Sequence, residues 1–416
     1  MKKTIFTLSA IVALAFTGCM NDEAPPILQD TNNQDNSGDN TVSVSGMISE
    51  STTWTNNTIY VLNQKVVVSS GVVLTIQAGT IIKGTEGTGS LASALIVAKG
   101  GKLNATGTAT EPIIFTSIND NITVGQTSGT NLDETNSGLW GGLIVLGNAP
   151  CSFSGDVEVL QIEGIPADDT FGLYGGSDAA DDSGVYQYIS IRHGGALIGE
   201  GNEINGLTLG GVGSGTVIEN IEVVGNVDDG IEFFGGTVNA SNLLIWAQGD
   251  DALDIDQAYS GTINNAVVIL GANSDHAFEI DGPEGAATGA FTLNNVTIIG
   301  NSVTEDGEYA DYRSCAMGST ENIYAYGFKE TSDVELDNDG VATNYNNGLL
   351  TFGAWEIVLP SGVSDVASIF VNKASAVEVS GFGSTATAVT EGVNTVGATT
   401  SLLSWTYANS KAGLGF

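Results

Sequence analysis

Between Ile204 and Asn301 the chain repeats itself, and the period decides what it can fold into. INGLTLGG from Ile204, DDGIEFFGG from Asp228, DDALDID from Asp250 and DHAFEID from Asp275 lie under one another. Each is followed by a Thr and a short apolar pair. Then Asn220, Asn242, Asn265 or Asn295 opens a further run: IEVV, LLIW, AVVI or VTII. These Asn residues are 22, 23 and 30 positions apart, the last step lengthened by an insertion after Asp281. So short a period, built from β-branched runs without helical spacing, predicts a solenoid of stacked strands. The expected fold is all-β, a right-handed parallel β-helix with loop insertions and a C-terminal cap over 401–416.

Within each run the apolar residues alternate, so Ile231 and Phe233, Leu253 and Ile255, and Phe278 and Ile280 face inward. The aligned Asn residues are expected to form a side-chain ladder inside the coil, where each amide finds its partners in the next. Stacking also places Thr208, Glu232, Asp254 and Glu279 in one outward column, at strand spacing. Asn205, Asp229, Asp251 and His276 form a second column, and Asp228, Asp250 and Asp275 a third. Asp256 and Asp281 continue the face. Carboxylates one strand apart repel, so this wall is expected to bind cations or to hold some of its acids protonated.

Charge bears on the partner. The 416 residues carry 48 acidic against 11 basic side chains, a net charge of −37, which excludes nucleic acid and anionic membrane surfaces. It favours divalent cations, with Ca2+ expected from an oxygen-only ligand set, or neutral hydroxylated ligands. Residues 1–18, with Lys2-Lys3, an apolar stretch from Ile5 to Phe16 and Gly18 before Cys19, resemble a bacterial lipoprotein signal. Cys19 is then the lipidated residue, and Asn21-Asp22-Glu23 resembles a surface-export signal of Bacteroidetes lipoproteins. An outer-membrane, surface-exposed lipoprotein of a Gram-negative bacterium is implied. Residues 19–41 read as a flexible tether and 42–416 as a single domain. Cys151 and Cys315 are expected to be buried thiols.

From residue 45 to 300 the motifs VVLTIQAGTIIKG (72–84), ALIVAKGGKLNATGTATEPIIFTS (94–117) and GLWGGLIVLGNAP (138–150) carry a family likeness. They resemble a family of secreted or lipid-anchored bacterial parallel β-helix proteins, which implies the fold and leaves the activity open. Two polar loops interrupt the coils, at 119–138 and 166–184. In the second, Asp168, Asp169, Asp178, Asp181 and Asp182 suggest either a Ca2+ cluster or a solvated acidic loop. Arg192 and His193 are expected beside the acidic face.

Three functions fit these residues. A wall formed by Glu232, Asp254, Asp256, Glu279 and Asp281 can bind a polysaccharide or another hydroxylated ligand beside outer-membrane uptake machinery. A rigid surface spacer needs only solvated acids. Asp250-Asp251 with Asp229 and His276 resembles the acid pair and His of β-helix polysaccharide hydrolases, although Gly-His-Gly and Arg-x-Lys elements are missing. The acids also recur turn after turn, whereas catalytic groups are usually unique. Binding is the reading the sequence favours.

Overall fold

The computed structural model describes residues 40–166, 169–197, 204–304 and 307–416. Its strands stack in parallel into three long sheets. The first runs through Thr52–Trp54, Val73–Ile76 and Lys102–Thr106 into the leading halves of Gly184–Arg192, Val217–Val224, Asn239–Trp246, Thr262–Ile269, Phe291–Ile299 and Gly318–Tyr326. The second, here the flank sheet, takes the trailing halves of those same strands. The third runs through Ala94–Val97, Leu143–Leu146, Leu207–Gly210, Ile231–Phe234, Leu253–Asp256, Phe278–Ile280, Ala310–Tyr312, Val334–Leu336 and Phe370–Asn372. We call this last one the wall sheet.

The first and flank sheets meet at a single left-handed residue: Tyr188, Asn220, Asn242, Asn265, Asn295 and Asn322, all with φ between 52° and 65°. Asn tolerates this conformation better than most residues, which accounts for its repetition. One left-handed residue resets the side-chain alternation, so Ile218 and Ile221, three apart, both enter the core. The Asn ladder is therefore outside the coil, contrary to expectation. Asn322 Nδ2 donates to Asn294 Oδ1 (2.9 Å) and Asn295 Nδ2 to Asn264 Oδ1 (2.9 Å). Asn264 and Asn294 face outward, because they alternate with the buried Ile263 and Leu293. The Asn242–Asn265 rung does form, at 2.8 Å, and Asn265 Oδ1 takes the backbone N–H of Thr399 at 2.6 Å.

That last bond belongs to a strap. The C-terminal segment turns back along the flank sheet, where the outward residues Val224, Leu244, Trp246, Val267 and Ile269 need cover. Leu403, Tyr407 and Ala408 supply it. Tyr407, in the short helix Tyr407–Ala412, reaches Leu132 O (3.1 Å), and Ala408 N–H bonds Glu222 Oε1 (2.7 Å). Residues 401–416 thus lie along the side of the solenoid. Its C-terminal end is closed instead by an aromatic layer of Tyr345, Phe352, Trp355, Phe370 and Phe382. The 119–138 loop folds down onto the coils, burying Ile122 against Ile81 and Ile114 and offering Leu132 to the strap.

Candidate functional site

The wall sheet carries one outward column whose chemistry changes along its length. Strand register aligns Met47, Val67, Ile96 and Ile144, then Thr208, then Glu232, Asp254, Glu279, Asp311 and Glu335, and finally Val371. Over its apolar part the 148–174 loop lays Phe153, Ile162, Ile165 and Tyr174. The acidic part begins where that cover ends. Tyr174 OH then donates to Gln257 Oε1 (2.7 Å), and Gln257 Nε2 reaches Glu284 Oε1 (3.0 Å), forming a polar rim along the boundary.

The second column is built as expected and continues past His276 to Glu308. Its side chains bind the next coil's backbone: Asp251 N–H donates to Asp229 Oδ1 (2.9 Å) and His276 N–H to Asp251 Oδ1 (2.8 Å). His276 Nδ1 lies 2.9 Å from that same Asp251 oxygen. Burial pushes this imidazole down, but the Asp251 hydrogen bond and charge outweigh it and hold it at about 9. His276 is therefore a cation at neutral pH, fixed in the wall.

Carboxyl oxygens of Asp229, Glu232 and Asp254 come within 4.8 Å of one another, as do ligand atoms of Asp251, His276 and Glu279. Burial first, and then the neighbouring carboxylates, raise Asp229, Glu232 and Asp254 well above the usual range. Asp256 rises to about 7 and Asp250 to about 6, again by burial first. At the other end Arg313 pairs with Glu279 and, at 2.6 Å, with Asp281, while Lys373 pairs with Glu335. The wall is thus uneven: its C-terminal half holds two basic side chains, and the trio at Glu232 contacts Asn205 instead. Asn205 is 1% exposed, and its Oδ1, like Asp254 Oδ1, has no partner among the described residues. Two buried oxygens left bare beside three acids fit a cation that accepts oxygen ligands.

Other expected site residues lie elsewhere. Arg192 is buried in the flank sheet under the strap, with Nε on Ser190 Oγ (2.7 Å), a guanidinium nitrogen on Thr127 O (2.9 Å) and its plane 4.2 Å over the Tyr407 ring. His193 meets Asn136 O at 2.8 Å. Neither contacts the acidic wall, because their strand continues into the flank sheet. Asp178, Asp181 and Asp182 do not converge on a metal either: Asp178 caps Ala180 N–H, Asp181 takes Asn148 Nδ2 and Asp182 takes Lys102 Nζ. Asp250 sits on the rim, more exposed than Asp229 and Asp251. Cys315 is exposed and Cys151 partly buried, both as free thiols. Cys19 lies outside the described residues. The sequence reading missed Asp311, Glu335, Arg313 and Lys373, since the repeat spacing dissolves after Gly300.

A stacked parallel solenoid with an acidic outward sheet defines the class: a right-handed parallel β-helix. The chain belongs to the family of pectate-lyase-like beta helix domains, whose model matches residues 46–409. Among solved structures it is similar to full-length tailspike protein 2 of Escherichia coli O157:H7 bacteriophage CAB120, at 10% identity and a TM-score of 0.23. That match covers 76% of this chain but only 34% of the tailspike. No curated protein matches the chain.

Proposed function

We propose that this β-helix binds a polysaccharide or another hydroxylated ligand on its acidic wall, with Ca2+ held among Asp229, Glu232, Asp254 and Asn205. One observation carries the reading: the buried Asp229 and Glu232 and the half-buried Asp254, all with raised pKa values, converge where Asn205 and Asp254 each have an oxygen with no partner among the described residues. A spacer with solvated acids gains nothing from burying them, since desolvation without a partner only costs stability. Bound Ca2+ would offset the repulsion and polarise ligand hydroxyls. The rest of the wall, Asp256, Glu279 and Asp281, accepts hydrogen bonds along the ligand. Lipidation at Cys19 and a tether over 19–41 would hold the domain on the outer membrane, at the cell surface beside uptake machinery.

A hydrolase is the second reading, favoured by one arrangement: a protonated acid at Asp229 or Glu232 beside further carboxylates, the pairing that glycosidic cleavage uses. The two separate experimentally. Millimolar Ca2+ should raise the melting temperature of the wild type, and Glu232→Gln with Asp254→Asn should abolish that response. The double variant should also be the more stable protein in EDTA. A wild type indifferent to Ca2+, with a variant of equal stability in EDTA, would leave the wall as plain surface. Reducing-end release from a polysaccharide panel, lost in Asp229→Asn, would support the hydrolase instead.

A further inference from the structure

The corners that lead from the flank sheet into the wall sheet enclose a cavity of about 560 Å3. Three successive coils and the start of a fourth form it, contributing Asn226, Val227, Trp246, Leu270, Asn273 and Asn301, while loop 134–137 makes its lip. The volume suits a small ligand. Val227, on the lining, is an apolar side chain that is 37% exposed. Asn226 is 2% exposed, and its orientation is set from behind: Nδ2 donates to Ile204 O (3.1 Å) and Asp229 O (2.9 Å). Two carbonyl acceptors leave no choice of amide flip, so Oδ1 is the atom left over, and it has no partner among the described residues.

We propose that this cavity is a subsite for one neutral sugar unit, contiguous with the acidic wall. Val227 offers the apolar contact that a pyranose presents on its C–H face, and the largely buried Trp246 and Leu270 form the apolar backing behind it. Asn273 and Asn301 offer amides that donate and accept at once, as vicinal hydroxyls require. Glu134 is the one charged side chain on the lining among the described residues, so an anionic sugar is disfavoured here. Position supplies the link to the wall. Val227 precedes Asp228 and Asp229, Gly249 precedes Asp250 and Asp251, and Asn273 stands two residues before Asp275, which His276 follows. A chain seated in the cavity therefore continues over the third column of acids onto the second. The ligand class rests on the proposed function, while the cavity itself does not.

Calorimetry with neutral hexasaccharides of β-1,4-glucose, β-1,4-mannose and α-1,4-glucose tests the subsite. Ala272 is exposed and lines the cavity, so Ala272→Trp fills it without touching the core. At least one hexamer should bind the wild type, and Ala272→Trp should weaken it tenfold or more, with the melting temperature unchanged. Asn273→Ala should weaken it at least threefold. If Ala272→Trp binds like wild type while Glu232→Gln with Asp254→Asn does not, the wall stands and the subsite is overturned. The reverse pattern supports the subsite and removes the wall from the ligand path. Failure of every neutral hexamer to bind the wild type also overturns the subsite.

Discussion

Asn265 shows how one residue type can serve a backbone and a side-chain requirement together. Its φ of 65° suits Asn or Gly, and its amide joins Asn242 below to Thr399 in the strap. Asn265→Gly keeps the backbone relaxed and loses only the hydrogen bonds, a cost of about 1–2 kcal/mol. Asn265→Ala should cost about 1–2 kcal/mol more, because a Cβ crowds the left-handed conformation. Denaturant unfolding of both variants separates the two effects, and equal losses would show that the backbone requirement is absent. The repeat of Asn was legible in the sequence, whereas the side on which it stands was not. Counting alternation through a left-handed residue inverts every assignment at that bend, and nothing in the residue names announces the conformation.

At the scale of elements, the strap is where sequence and structure part most clearly. LLIW and AVVI are apolar on both alternations, which signals a strand buried on both faces. The pattern says that something covers the flank but not which segment does so. Contacts such as Thr399 to Asn265 join residues 134 positions apart. Leu403 is fully buried against Leu244 and its neighbours, so Leu403→Ala should cost about 2–4 kcal/mol. The loosened strap should also expose Trp246 and Ile269 to an apolar dye. A variant that melts lower without added dye fluorescence would mean that the strap stays seated and only a cavity has formed. Arg192 belongs to the same element: its burial is explained by the Tyr407 ring above it and by Glu222, Ser190 and Thr127 around it, not by a ligand.

Across the whole molecule, the column of the wall sheet is continuous while its partner changes, from the 148–174 loop to Arg313 and Lys373. The acids from Glu232 to Glu279 were legible because the repeat holds there; Asp311 and Glu335 were not, because longer turns intervene. Together the wall acids set the pH dependence of stability. A carboxyl raised in the fold keeps its proton after the unfolded chain has lost its own, so stability falls as pH rises across that interval. The interval runs from an unfolded value near 4 to about 6 for Asp250, and to about 7 for Asp256, Glu308 and Asp311. Asp229, Glu232 and Asp254 shift in the same direction. His276, raised to about 9, contributes stability that is complete below an unfolded value near 6.5 and lost as pH rises through 9. Both groups act with one sign, and His193, lowered chiefly by burial, opposes them below its unfolded value near 6.5, so the melting temperature in EDTA should show a net fall from pH 4.5 to 9, by about 5 °C or more. Ca2+ competes with protons for the carboxylates, so its stabilisation should be small at pH 4.5 and grow above pH 6. The two profiles, with and without the ion, should therefore diverge as pH increases. A melting temperature in EDTA that is flat or rising over that range would mean that the wall acids are ionised in the fold at no cost, and the case for a bound cation among them would fall with it.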